Sequence, residues 1–151
     1  MTLRASSLVI GSMVLFSAAC FPYHDYEGDY EMTYDVIMTS SDGNRVQAAA
    51  GITDVEVNHG LNAEYLLHLG ATFCLLEGNY VEAEKFNDQP FMNIPPQPCW
   101  FAKGAKSYAM SLGGSATYTD GEDRFMVVLG GSFVDDDGRV GSATVELTES
   151  W

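Results

Sequence analysis

Residues 30–39 read Tyr-Glu-Met-Thr-Tyr-Asp-Val-Ile-Met-Thr, and apolar and polar side chains alternate along this run. Large apolar side chains occupy every even position from 30 to 38, while the odd positions are polar except for Ile37. Successive side chains of an extended strand point to opposite faces, so the run predicts a β-strand with one buried and one solvated face. A helix would distribute the same residues around its axis.

The same alternation recurs along the chain in segments that are separated by turn signals. Ser41-Asp42-Gly43-Asn44 is the first turn, because Gly and Asn tolerate the positive φ that tight hairpins require. Further strands are predicted at 46–57, 61–69, 71–77, 80–86, 108–118, 125–133 and 143–151. Glu77-Gly78-Asn79 is expected to form a hairpin turn, and a change of phase near Gly51 to Thr53 indicates a bulge.

One segment of the chain, from Asn87 to Pro98, is rich in proline. It contains Pro90, Pro95, Pro96 and Pro98. Proline has no N–H to donate to a β-ladder or a helix. We therefore predict a long loop that ends at Cys99.

The predicted elements amount to about eight strands with no convincing helix, an all-β fold in a single domain over residues 27–151. Short connections make sequential strands antiparallel neighbours, and eight one-sided strands close into an up-and-down barrel or stack as a sandwich. The meander resembles the lipocalin-like barrels of exported bacterial proteins. Gly28-Asp29-Tyr30 is the string nearest to the Gly-x-Trp with which lipocalins begin, with tyrosine in place of tryptophan. The resemblance implies an interior that binds a ligand.

The first twenty residues have the pattern of an export signal. Arg4 is followed by an uncharged run from Leu8 to Ala19, which is too short to span a bilayer. The stretch Phe16-Ser17-Ala18-Ala19-Cys20 resembles the lipobox of bacterial lipoproteins. The resemblance implies that residues 1–19 are removed, that Cys20 receives diacylglycerol and palmitate, and that residues 20–26 form a lipidated tether. The alternative is an ordinary signal peptide that is cleaved nearby, with Cys20 a plain cysteine.

The lipobox resemblance also implies a location. Phe21 follows the acylated cysteine, whereas lipoproteins retained in the inner membrane of enteric-type bacteria carry Asp there. We therefore expect attachment to the outer membrane of the cell envelope, with the domain in the periplasm or at the cell surface.

The charge of the chain limits its partners. The net charge is −14, and removal of Arg4 with the leader leaves six basic and twenty-one acidic side chains, a net of −15. Such a surface repels phosphate backbones and anionic bilayers, so no nucleic acid partner is expected and the membrane is reached through the lipid alone. Solubility explains the acidity most simply, and a basic partner is the alternative.

Two cysteines are left once Cys20 is assigned to lipid. Cys74 and Cys99 form an even pair in an oxidising compartment, which favours a disulfide. A metal site is the alternative, but neither cysteine has a second Cys or His at the usual spacing. No cofactor or metal is expected.

The inward faces of the predicted strands carry several tyrosines and methionines. Buried phenols need hydrogen-bond partners, which a ligand or water in a cavity would supply. We therefore name as candidate ligand-binding residues for a small apolar molecule Tyr30, Tyr34, Tyr65, Tyr108 and Met110. An ordinary filled core is the alternative.

Three functions follow from these observations. The first is a lipid-anchored binding module, and the second is a structural or assembly-related envelope lipoprotein with a filled core. An enzyme is the weakest hypothesis, because His24, His59 and His68 belong to no catalytic motif. The acidic run Asp135-Asp136-Asp137-Gly138 departs from calcium-loop spacing and is interpreted as a solvated hairpin turn.

Overall fold

The computed structural model describes residues 25–72, 74–82, 89–118 and 124–150, which form eight antiparallel β-strands. The strands are β1 (Gly28–Ser40), β2 (Arg45–His59), β3 (Tyr65–Leu69), β4 (Cys74–Val81), β5 (Phe91–Lys103), β6 (Lys106–Tyr118), β7 (Phe125–Asp135) and β8 (Val140–Glu149). Each strand pairs with the next, and β8 pairs with β1 to close a barrel. The predicted all-β meander is confirmed, as a barrel rather than a sandwich. Within the described residues, no helix is long and apolar enough to cross a membrane.

The inner face of the barrel is apolar, as the alternation predicts. Along β1, the even positions Tyr30, Met32, Val36 and Met38 are buried, and the odd positions 29, 31 and 33 are exposed. The inward side chains of all eight strands form one contiguous cluster. Burial of this cluster is the main apolar contribution to folding.

The predicted proline-rich loop is wrong, because residues 91–103 form β5. Its ladder with β6 shifts register between Ile94 and Gln97, so that one extra residue bulges out at Pro95-Pro96. The inward positions consequently change from even, at Ile94, to odd, at Cys99. On its other edge, β5 pairs with β4 only over 91–93, so the prolines remove no ladder bond there.

The β4–β5 seam is closed by side chains where its backbone ladder ends. The Gln97 side chain accepts a hydrogen bond from the Glu77 N–H at 2.8 Å and donates one to the Glu77 carbonyl at 2.7 Å. Beyond it, Cys74 and Cys99 form the predicted disulfide, with their Cα atoms 4.7 Å apart. An amide and a covalent bond thus replace the backbone bonds along this seam.

The predicted hairpin at Glu77-Gly78-Asn79 is also wrong, because β4 runs through it. Gly78 lies inside the strand, and a Cβ there would come within 2.5 Å of the Met92 sulfur. The glycine therefore makes room for a neighbouring core side chain rather than for a turn.

Strands β2 and β3 differ from the sequence prediction in phase and length. The expected bulge near Gly51 is absent, since β2 pairs with β1 in one register from Gln47 to Val57. The register shifts only where Met38 pairs with Gln47 and Thr39 pairs with Arg45, so that the extra residue lies on β2 at position 46. Ile52 consequently points outward and is 66% exposed. Strand β3 begins at Tyr65, so Leu61 lies in the preceding connection and is fully exposed.

The meander gives the barrel two distinct ends. The tether end holds residue 25, where the described chain begins, and the connections after β2, β4 and β6. The far end holds the turns after β1, β3, β5 and β7. Cys20 and the rest of the predicted signal and tether up to residue 24 lie outside the described residues.

Candidate functional site

The five predicted ligand-binding residues lie at different levels of the barrel. Tyr30 and Tyr65 lie near the tether end, on β1 and β3, whereas Tyr108 and Met110 lie near the far end on β6. Tyr34 is half-buried on β1 beside Gly51. Four of the five are buried in the contiguous apolar cluster, and Tyr34 packs against it.

The aromatic residues of the tether end are centred on Tyr26, which is fully buried. Its ring stacks on Tyr118 with centroids 5.5 Å apart and meets the edge of Tyr65 at 5.6 Å. Tyr26 was predicted to lie in the tether, but it belongs to the core. Its isolated position before the first alternating run gave no sign of this.

The buried phenols of this end find partners within the protein. The Tyr30 hydroxyl donates to the Tyr26 carbonyl at 2.9 Å, which leaves the Tyr118 hydroxyl to donate to it at 2.8 Å. Burial, followed by the hydrogen bond with Tyr118, raises the pKa of Tyr30 well above its usual range. No ligand is needed to satisfy these hydroxyls.

The far end is held together by hydrogen bonds between its turns. Ser107, after the β5–β6 turn, donates through its N–H and its hydroxyl to the Asp136 carboxylate at 2.8 and 2.9 Å, and Lys106 pairs with Asp137 at 3.1 Å. The Ser41 N–H donates to the Val140 carbonyl at 3.1 Å. The turns after β1, β5 and β7 therefore form one rim.

An open cleft of about 850 Å³ lies in this rim. Its walls include the cationic residues Arg45, Lys106 and Arg139, three of the six basic residues that follow the predicted leader, together with Tyr108. Among the described residues, no carboxylate oxygen lies within 4.0 Å of either arginine. A second groove, of about 510 Å³, lies between β1, β2 and β3 and is lined by four carboxylates, in contrast to the three cations of the far-end cleft.

One acidic residue, Asp42, also lines the cleft, and the acidic side chains of the rim are engaged in the turns. Asp42 accepts hydrogen bonds from the Ser40 hydroxyl and from the Asn44 N–H, which lower its pKa from 3.8 to about 2. The Asp135 carboxylate is buried and accepts the N–H groups of Asp137 and Arg139 at 3.0 and 2.8 Å. The run 135–138 is thus a hairpin turn, as predicted. Within the described part of the chain, Arg45 and Arg139 are thus the cationic residues of the cleft lining that form no ion pair.

A smaller polar cluster lies on the surface of the tether end. The His59 Nε2 atom is 3.6 Å from an Asp25 carboxylate oxygen and 3.6 Å from a Glu27 carboxylate oxygen. The β1–β2 register, which pairs Gly28 with Val57, brings the segment before β1 alongside the end of β2. His59 belongs to no motif of the sequence, because its neighbours depend on that register.

Comparisons with known proteins add no further constraint. The chain matches no protein-family model, and neither the curated proteins nor the solved structures contain a significant match to it.

Proposed function

We propose that the chain is an exported lipoprotein, held at the outer membrane through acylated Cys20, whose barrel binds a small anionic molecule in the far-end cleft. The single observation that carries the ligand proposal is the convergence of Arg45, Lys106 and Arg139 on one cleft of a strongly acidic protein. Arginine presents a planar fork of donors that matches the geometry of carboxylate and phosphate.

The placement of the cleft is compatible with anchoring. Strand β1 has 13 residues, so the cleft lies about 30 Å from the tether end at the usual strand rise and tilt. A membrane beneath the tether end would leave the cleft open to solvent. The expected ligand is a carboxylate or phosphate whose apolar part rests against the cleft wall near Tyr108.

A structural envelope lipoprotein is the second candidate. It is supported by the apolar interior, in which four of the five residues first proposed to bind a ligand are buried as members of one contiguous cluster. This candidate predicts the same lipid on Cys20 and no ligand at either end of the barrel.

Titration of the full chain, purified in detergent, separates the two candidates. Inorganic phosphate and octanoate are added while binding is followed by calorimetry. We expect saturable one-to-one binding that Arg139→Gln or Arg45→Gln weakens about tenfold or more, because each loses a charged hydrogen bond. Tighter binding of octanoate than phosphate would assign part of the affinity to the apolar tail.

Arg124→Gln is the matched control, because it removes the same charge before β7 at the tether end. It should leave the affinity unchanged. Absence of saturable binding, or an equal loss of affinity in Arg124→Gln, would refute the proposal that the cleft binds an anion and would favour the structural candidate.

A further inference from the structure

The cluster of Asp25, Glu27 and His59 offers three metal-ligating atoms within 4.8 Å of one another. We propose that these side chains bind one divalent transition-metal ion, such as Zn²⁺, at the tether end. The proposal concerns the opposite end from the cleft and is independent of the anionic ligand.

The spacing of the three atoms suits a shared ion. Zinc bonds of 2.0–2.2 Å in a tetrahedral site place neighbouring ligand atoms about 3.3 Å apart. The His59 nitrogen is 3.6 Å from each carboxylate oxygen, and all three atoms lie within 4.8 Å of one another, so rotations of the exposed carboxylates would bring them to that spacing. One imidazole and two carboxylates leave a fourth position for water, as in catalytic rather than structural zinc sites.

The orientation of the His59 ring is a second observation that points to a metal. Its other nitrogen, Nδ1, is 3.3 Å from the Glu64 carbonyl oxygen. A donor bond from Nδ1 to that carbonyl leaves the lone pair on Nε2, the atom that faces both carboxylates. Metal-bound histidines commonly donate their other ring nitrogen to a carbonyl or carboxylate, which fixes both the tautomer and the ring.

Tyr65 holds two of the three ligands in place. Its ring stacks on His59 with centroids 5.2 Å apart, and its hydroxyl donates to the Asp25 carboxylate at 3.4 Å. The Tyr65 ring is itself fully buried in the core. A rigid side chain therefore supports the exposed cluster from below.

The charge of the cluster favours a cation. With neutral imidazole, the three side chains carry a net charge of −2, and among the described residues no lysine or arginine nitrogen lies within 4.0 Å of either carboxylate. A divalent ion would neutralise the cluster. It would also join the segment before β1 to the end of β2, and so clamp the chain where it leaves the tether.

The test is calorimetric titration of the untagged full chain, purified in detergent, with ZnCl₂. We expect one site per chain, and a loss of affinity of at least tenfold in His59→Ala and in Glu27→Gln, because removal of a ligand costs no less than removal of its supporting partner. The matched controls are His68→Ala, on the exposed face of β3, and Glu146→Gln, on the exposed face of β8, and both should bind zinc as the native protein does.

A second measurement keeps the proposal independent of folding defects. Zinc should raise the melting temperature of the native protein and of His68→Ala, and it should not change that of His59→Ala, whose far-ultraviolet spectrum should remain native. Absence of zinc binding would overturn the proposal, as would binding that His59→Ala leaves intact or that His68→Ala weakens equally.

Discussion

Removal of the disulfide should weaken the barrel along one seam before the rest. In Cys74→Ala with Cys99→Ala, the crosslink across a sequence separation of 25 residues is lost. On the chain-entropy relation, closing a loop of this length stabilises the folded state by about 3.5 kcal/mol at 25 °C. A domain of this size is stabilised by about 5–15 kcal/mol in total, so the loss is a large fraction.

The loss of stability should be largest along the β4–β5 seam. The backbone ladder between β4 and β5 covers only 79–81 and 91–93, and beyond it the disulfide and Gln97 join the two strands. Without the disulfide, the start of β4 is held by β3 on one edge and by a single side-chain amide on the other. Amide hydrogen exchange around Leu75 should therefore accelerate more than exchange in β7, which is paired on both edges.

Urea unfolding, followed by tryptophan fluorescence, measures the global effect. Trp100 adjoins Cys99 on β5 and is a local probe. The free energy of unfolding of the oxidised native protein should exceed that of the double variant by about 3.5 kcal/mol. Reductant should lower the free energy of unfolding of the native protein to that of the variant, and it should leave the free energy of the variant unchanged. If reduction left the midpoint and the exchange of β4 unaltered, the assignment of the seam to the disulfide would be refuted.

Three further perturbations test the packing of the barrel. Gln97→Ala should cost about 1–3 kcal/mol in urea unfolding, because the Glu77 backbone groups lose their partners, and Gln97→Glu should cost less because it keeps one acceptor. Gly131→Ala should destabilise the protein by about 2 kcal/mol or more, because the new Cβ would collide with the Ser111 carbonyl. Gly130→Ala places its Cβ in open space and should be near neutral. Equal melting temperatures of the two variants would contradict this. Because the pKa of Tyr30 is raised in the folded state, the folded protein keeps a proton that the unfolded chain releases above the ordinary tyrosine pKa of 10.0. The free energy of unfolding should therefore include this contribution in full below pH 10 and fall above it, less steeply in Tyr30→Phe. An identical alkaline fall in both proteins would argue against the assignment.

Most of the fold could be predicted from the alternation of apolar and polar side chains. Where strands have one solvated face, as in β1 and β7, the period of two identified both the strand and its buried side. Failures occurred where the barrel overrides local propensity. Pro95 and Pro96 are tolerated because a bulge and an unpaired edge meet at the same place, and Gly78 lies within a strand because Met92 needs its space. Neither fact is encoded near those residues in the sequence.

The sites were less accessible to sequence reasoning than the fold. The inward face of Tyr108 follows from alternation, but the cationic cleft above it combines residues from three turns, and their convergence depends on barrel closure. The contact of His59 with Asp25 depends likewise on the register of two strands. Spacing along the chain determines faces, while pairing between strands determines neighbours.

Attachment of the protein to the outer membrane through Cys20 is tested by acylation in cells grown with labelled palmitate. We expect the native protein to carry the label, to begin at Cys20 by mass spectrometry and to fractionate with outer-membrane markers, while Cys20→Ser carries no label. Label on Cys20→Ser, or a native protein whose Cys20 bears no lipid, would contradict this expectation.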